Sequence, residues 1–224
     1  MIFQILLEEF PYLLQGVLVV IELAAGLLAL GLVVGLVLAL MEVYGNRMVA
    51  LLATLIDRFF RGVPAAVLLF LFYYGLSDFY NISSFTAAIL ALGLRSGAYQ
   101  SQIFKGAIMA ISEGQMVAAR AVGMTKYKAV RHIILPQAFR HAIGPWSNEF
   151  SAELKATSLA YLIGVVELLR RGKYIVSYTY GNSLVVFSFC ALMYFILTRI
   201  GNSALYKLEK RVAVPGFDKR QLEG

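Results

Sequence analysis

Side chains that hold metals or carry redox chemistry are scarce in this chain of 224 residues, which has one cysteine and two histidines. The single Cys190 lies in an apolar run, and one cysteine excludes an intrachain disulfide framework and a cysteine-based zinc cluster. Neither His132 nor His141 lies in an apolar run, and no acidic cluster with metal-ligand spacing is visible in the sequence. We therefore predict no catalytic residue and no metal site in this chain.

A phosphate-binding loop is also missing. The only Gly-Lys pair is Gly172-Lys173, and Glu167 stands where the motif G-x-x-x-x-G-K-[ST] requires its first glycine. This chain is therefore not an energy source by that route and is expected to hold no cofactor. The first residues show no basic segment and no small-residue cleavage site, so we expect the N-terminus to be retained rather than removed as a signal peptide.

Apolar sequence is what the chain has in excess. Hydrophobic residues make up 60% of it, against about 45–50% in soluble domains, and the mean hydropathy is +0.74. Because the excess lies in long runs, we predict an all-α integral membrane protein, a single domain over residues 1–224 with about five transmembrane helices. The predicted spans are Leu13–Met41, Ala50–Leu76 with a kink at Pro64, Phe85–Ile111, Ala142–Leu169 and Ser183–Leu205.

The net charge of +7 predicts contact with membrane lipid rather than with nucleic acid, because Lys and Arg collect in cytoplasmic loops. The stretch from Lys105 to Arg140, which includes the loop between the third and fourth spans, carries six bases against the lone acid Glu113, and the C-terminal tail, about 206–224, carries five bases. The N-terminus has Glu8 and Glu9 and no base. These charges predict an external N-terminus and a cytoplasmic C-terminus, although Arg170, Arg171 and Lys173 would then lie outside.

The most polar segment, about 112–136, lies between two long apolar runs and is expected to form a cytoplasmic pair of helices. Ser112 and Gln115 have capping-box spacing, which predicts a helix from Glu113. Gly123 can end that helix in a left-handed conformation, and Thr125 can cap a second helix through about Ile134. We expect Leu135-Pro136 to turn the chain back toward the membrane. A basic loop lying on anionic lipid would have a similar composition.

The spacing in this segment carries a resemblance to a known family. Val117-Ala118-Ala119 is followed by three residues and Gly123, and nine further residues lead to Ile133-Ile134-Leu135-Pro136. This is similar to the E-A-A…G…I-x-L-P signature in the membrane subunit of binding-protein-dependent ABC importers, with Val117 in place of the glutamate. Further segments resemble the polar amino-acid permeases of that family: Arg61-Gly62-Val63-Pro64, Ser96-Gly97-Ala98-Tyr99, Ile103-Phe104-Lys105-Gly106, Leu135-Pro136-Gln137-Ala138 and Lys155-Ala156-Thr157-Ser158-Leu159.

The resemblance implies a fold, a mechanism and partners. The fold is that of the transmembrane domain of a type I ABC importer in a prokaryotic inner membrane. The partners are two ATP-binding subunits, which bind ATP and Mg, a second permease copy or paralogue, and an extracellular or periplasmic substrate-binding protein. The substrate is expected to be a polar amino acid, with the basic amino acids among the candidates. The residues expected to couple to the ATPase are Glu113, Gly114, Met116, Ala118, Ala119, Val122 and Gly123, of which Met116, Ala119 and Val122 are expected to share an apolar docking face.

Charged residues inside the predicted spans are candidates for the substrate site, since such residues usually face a partner or a watery cavity. Glu149 and Glu153 lie four apart and share one helix face, with Asn148 adjacent, and this carboxylate pair can receive an ammonium group. Arg95 in the third span can bind the substrate carboxylate. Two alternatives remain open at this stage. Arg95 can instead form an interhelical ion pair with a glutamate, or the three charges can serve an ion-gradient-driven transporter or channel.

Overall fold

The computed structural model describes residues 8–77, 79–179 and 183–212, and every regular element among them is helical, which confirms the predicted all-α fold. Asp78 and most of the predicted C-terminal tail lie outside the described residues. The elements in chain order are α1 (Phe10–Tyr44), α2 (Arg47–Gly62), α3 (Ala65–Ser77), α4 (Ser84–Met109), α5 (Glu113–Ala121), α6 (Lys126–Ala129), a π-helical segment (Val130–Ile134), α7 (Leu135–Ala156), a 3-10 helix (Thr157–Ile163), α8 (Leu168–Thr179) and α9 (Ser183–Val212).

Helix length and apolar character identify the elements that can cross a membrane. Among the described helices, α1 and α9 are each long and apolar enough to do so, and the bent pair α2–α3 would count as a third crossing if taken together. The helices α4 and α7 have 26 and 22 residues, and about 20 residues suffice for a bilayer core of about 30 Å, but both carry charges. Of the five predicted crossings, length and apolar character support those at α1 and α9 and, if the bent pair is one crossing, α2–α3; the other two predicted crossings fall on α4 and α7.

The second predicted span is broken rather than continuous. Helix α2 ends at Gly62, Val63 is extended with φ −89° and ψ 133°, and α3 leaves at an angle of 102°. The residue before a proline avoids the helical region, so Pro64 forces this break. The kink at Pro64 is confirmed, and the predicted span Ala50–Leu76 consists of two helices joined at a sharp bend.

The chain does not turn at Leu135-Pro136, contrary to the prediction. The backbone stays helical from Lys126 through the π-helical segment into α7, which continues to Ala156. Pro136, which has no N–H, lies where the π-helical segment passes into α7, so its missing donor falls at the change of helix type. The helix therefore runs directly from the polar segment into the protein core.

The fourth span also ends earlier than predicted, at Ala156 instead of Leu169. The 3-10 helix follows, and Gly164 then adopts the left-handed conformation with φ 100°. Beyond it, the fully buried Glu167 accepts hydrogen bonds from the backbone amides of Leu169 and Arg170, each at 2.8 Å, and so caps α8. An apolar run that looks continuous in the sequence is thus divided by a glycine and a capping carboxylate.

Helix α4 is the central element, and glycines allow it to approach α1 closely. A Cβ atom added at Gly35 of α1 would lie 2.8 Å from the carbonyl oxygen of Gly97, and one added at Gly97 would lie 2.9 Å from Val34. Gly31 on α1 and Gly93 on α4 complete a small-x-x-x-small pattern on each helix. Such patterns favour close packing of helices within membranes.

The buried apolar residues form two clusters. The larger one, here called the outer core, joins α1, α3, α4, the end of α7, the 3-10 helix, α8 and α9. The smaller one, here called the inner core, joins the C-terminal ends of α1 and α4 to the start of α7. Trp146 of α7 packs against both cores and so lies at their junction. The inner core consists of Ala39, Phe104, Ala107, Ile108, Ile134, Ala138 and Ala142.

Candidate functional site

An ion pair between α4 and α7 lies inside the helix bundle. Nη1 of Arg95 lies 2.7 Å from Oε1 of Glu153, and the Arg95 guanidinium lies 4.8 Å from the centre of the Tyr99 ring. The Glu153 side chain is 1% exposed, whereas that of Arg95 is 23% exposed. The interhelical ion pair that was one of two alternatives for Arg95 is therefore present.

The second oxygen of Glu153 is the distinctive feature of this pair. Oε2 is buried and has no hydrogen-bond partner within the described part of the chain. A buried polar atom left without a partner costs about 1–3 kcal/mol. The site therefore retains an acceptor that can take a hydrogen bond from an incoming donor.

Glu149 lies one turn before Glu153 and takes part in a chain of hydrogen bonds. Ser96 donates to Glu149 Oε1 at 3.0 Å, and Gln100 donates to Ser96 at 3.0 Å. Trp146 in turn donates from its indole nitrogen to Gln100 Oε1 at 2.9 Å. The chain of bonds holds Glu149 against α4 and connects it to the junction of the two cores.

Sequence reasoning missed three members of this network: Ser96, Gln100 and Trp146. Ser96 and Gln100 stand one helical turn apart in the segment Ser96-Gly97-Ala98-Tyr99-Gln100, and both are fully buried. The signal available in the sequence was their spacing of four residues, which places both polar side chains on one face of a largely apolar helix. Trp146 gave no local signal, since its partner lies on another helix.

The structure brings three of the four proposed substrate residues together. Arg95, Glu149 and Glu153 share one cluster, whereas Asn148 lies on the exposed side of α7. Pro145, Ala152 and Lys155 share that side. Their spacing of three and four residues makes this a continuous stripe of small and polar residues along α7.

Three local signals in the segment 112–136 are confirmed, whereas the turn at Leu135-Pro136 is absent. Helix α5 begins at Glu113, with Ser112 accepting from the amide of Gly114 at 3.3 Å. Gly123 has φ 83°. Thr125 caps α6 by accepting from the Lys128 amide at 3.3 Å. We call residues 113–129, which contain α5, Gly123 and α6, the coupling segment.

The expected apolar face of Met116, Ala119 and Val122 is not a single surface. Met116 packs against the inner core and Ala119 is buried, whereas Val122 is 76% exposed. The reason is that α5 ends at Ala121, so Val122 is already in the C-cap and leaves the helix face. The outward residues of the predicted set are Glu113, Gly114, Ala118, Val122 and Gly123.

Fold and site together define a helical membrane subunit with charged groups inside the bundle and an exposed helical pair at one end. Residues 31–214 match the family described as Binding-protein-dependent transport system inner membrane component. The chain belongs to this family, and the expected kinship with the membrane subunits of ABC importers is confirmed.

Two curated relatives and one solved structure show the extent of the similarity. The chain is 36% identical over 218 residues to the probable amino-acid permease protein YxeN of Bacillus subtilis, covering 95% of this chain and 96% of the relative. It is 32% identical over 214 residues to the histidine/lysine/arginine/ornithine transport system permease protein HisQ of Salmonella typhimurium, covering 90% and 93%. A crystal structure of an amino acid ABC transporter with histidines matches with a TM-score of 0.83 and 33% identity, covering 92% of this chain and 97% of that one.

Proposed function

We propose that this chain is the permease subunit of an ATP-driven amino-acid importer in a prokaryotic inner membrane. It forms the translocation pathway with a second permease copy or paralogue and works by alternating access. Two separate ATPase subunits bind ATP and Mg, and an extracellular or periplasmic binding protein delivers the substrate. The observation that carries the proposal is the exposed coupling segment, which follows the family signature and rests on its own apolar core.

In this proposal the ATPase docks onto the outward surface of the coupling segment. The contact surface consists of the exposed members of the predicted set in α5 and just after it, namely Glu113, Gly114, Ala118, Val122 and Gly123. Met116 and Ala119 instead hold α5 to the permease. The ATPase side is cytoplasmic, which gives the external N-terminus and the cytoplasmic C-terminus that the charge pattern favours.

The substrate site in this proposal is the cluster of Arg95, Glu149 and Glu153. Its two carboxyl groups lie on the same side of α7 as one guanidinium, and Arg95 is already engaged by Glu153 at 2.7 Å. The unpaired oxygen of Glu153 and the carboxylate of Glu149 accept hydrogen bonds from an ammonium or guanidinium group. The cluster therefore favours a polar substrate with a cationic group, and Asn148 lines the pathway toward the second permease.

Uptake in proteoliposomes tests this function. The permease is reconstituted with the ATPase and binding protein of the same organism, and uptake of labelled L-arginine, L-histidine and L-glutamine is measured with and without ATP at the ATPase side. We expect uptake that requires ATP and persists when ionophores collapse the ion gradients. Uptake that ignores ATP and stops with the ionophores would instead support an ion relay through the same three charges.

A further inference from the structure

A second interhelical ion pair lies at the coupling end of the molecule. Nζ of Lys105 on α4 lies 2.6 Å from Oε2 of Glu42 on α1, and Gln102 donates to the other Glu42 oxygen at 3.4 Å. The Glu42 side chain is 3% exposed and that of Lys105 is 35% exposed. Lys105 follows Arg95 by about 15 Å along α4, at 1.5 Å per residue. The pair is therefore separate from the candidate substrate site.

The position of this pair relates it to the coupling segment. Glu42 lies two residues before the end of α1, and Lys105 lies one turn before the end of α4. Only residues 110–112 separate α4 from α5. At the end of α1, the amine of Lys126 in α6 lies 5.1 Å from the Tyr44 ring centre and donates to the Tyr44 carbonyl at 3.5 Å. The pair thus joins the two helices whose ends adjoin the coupling segment.

The inner core lies against the same helix ends. It contains Ala39 from α1 and Phe104 and Ile108 from α4, and Met116 of α5 packs against it. Further along the same two helices, Gly35 and Gly97 allow α1 and α4 to pack closely. A charged hydrogen bond is directional and short. The ion pair adds the one salt bridge between α1 and α4 among the described residues, and it lies at the end of the two helices that adjoins the coupling segment.

We propose that Glu42 and Lys105 are positioning residues that make α1 and α4 move as one unit when the ATPase displaces the coupling segment. A slip of one turn between the helices would leave the buried Glu42 carboxylate without its cation, and an unpaired buried charge is strongly unfavourable. The pair thereby turns movement of the coupling segment into movement of the pathway helices. This proposal rests on the proposed function, because it requires a separate ATPase.

The test is the amount of substrate imported per ATP hydrolysed. The importer complex carrying Lys105→Gln or Glu42→Gln is compared in proteoliposomes with the exchange variant that combines Glu42→Lys and Lys105→Glu, using a radiolabelled mixture of amino acids. The matched control is Arg61→Gln, which removes a cation from the Arg61–Asp57 pair, also 2.6 Å long but contained within α2. Assembly with the ATPase is checked by size-exclusion chromatography.

We expect each single variant to lower uptake per ATP by about fivefold or more, as for the loss of a typical coupling between two sites, while ATP hydrolysis persists. The exchange variant should restore most of the uptake per ATP hydrolysed, because the Gln102 amide oxygen can accept a hydrogen bond from a lysine at position 42. The control should keep the ratio of the unsubstituted complex. Glu42→Gln preserves side-chain volume and is the variant least disturbing to assembly.

Three results would overturn the proposal: uptake and hydrolysis that fall in parallel in the single variants, an exchange variant that assembles but stays uncoupled, or loss of assembly in all three variants while the control assembles. The last result would assign the pair a purely structural role. If the unsubstituted complex itself shows no ATP-driven uptake, the proposed function fails first and this inference fails with it.

Discussion

The cost of separating Arg95 from Glu153 can be worked out from their burial. In Arg95→Met the Glu153 carboxylate, 1% exposed, loses its cation and keeps no hydrogen-bond donor for Oε2. Removing one partner of a buried ion pair costs about 3–5 kcal/mol. We expect the lower end, about 3 kcal/mol, because Arg95 is nearly a quarter exposed. For a chain of this size, that corresponds to a fall in Tm of about 6–12 °C.

The assay for this prediction is thermal unfolding in detergent, followed by the fluorescence of the single tryptophan, Trp146, which is bonded to Gln100 in the same network. The double variant Arg95→Met/Glu153→Leu removes both charges and should recover much of the loss, since replacing a buried pair by apolar residues is often neutral. Arg131→Met is the matched control, because this exposed arginine donates to the Tyr127 hydroxyl at 3.2 Å and forms no ion pair with the described residues. A double variant as unstable as Arg95→Met, or a control that loses as much, would refute this reasoning.

Three further outcomes are expected. Gly35→Val should lower Tm, because a Cβ at this position meets the Gly97 carbonyl at 2.8 Å. Gly106→Ala should leave Tm unchanged, because nothing lies within 4 Å of a Cβ there. Equal shifts in Tm would contradict the close approach of α1 and α4. Gly123→Val should cost about 1–2 kcal/mol at its positive φ and weaken co-purification of the ATPase, with Gly106→Val as the control that retains it. Glu149→Gln should lower uptake of L-arginine more than that of L-glutamine, and equal losses would argue against a cation site.

Local sequence signals predicted much of this structure, and long-range contacts account for what they missed. The caps at Ser112 and Thr125 and the left-handed Gly123 depend on neighbours within a few residues, and all three are present. The break at Pro64 likewise follows from the backbone of two adjacent residues.

The misplaced end of the fourth span has a different origin. Glu167 and Gly164 stand within an apolar stretch, so hydropathy continued the span through both residues. The role of Glu167 as a cap also depends on Tyr194 of α9, which donates to its second oxygen at 2.8 Å. Only the packed structure shows that a glutamate there ends one run and begins α8.

The candidate site could be predicted only in part, again because contacts between distant residues complete it. The spacing of Glu149 and Glu153 placed both on one helix face, but whether Arg95 faces them depends on how α4 packs against α7. The buried partner Gln100 joins α4, α1 and α7 through three hydrogen bonds. No local pattern specifies such a junction, so the sequence left the choice between ion pair and ligand open.

The most direct test of the central claim is whether an ATPase subunit covers the coupling segment. Cys190, the only cysteine, is buried, so Val122→Cys introduces an accessible thiol at a position that is 76% exposed. Phe79→Cys, at a 79% exposed position before α4 and so away from the coupling end, is the matched control. The account predicts that maleimide labels both variants of the isolated permease, and that adding the ATPase protects only Val122→Cys. Equal labelling of Val122→Cys with and without a bound ATPase would contradict it.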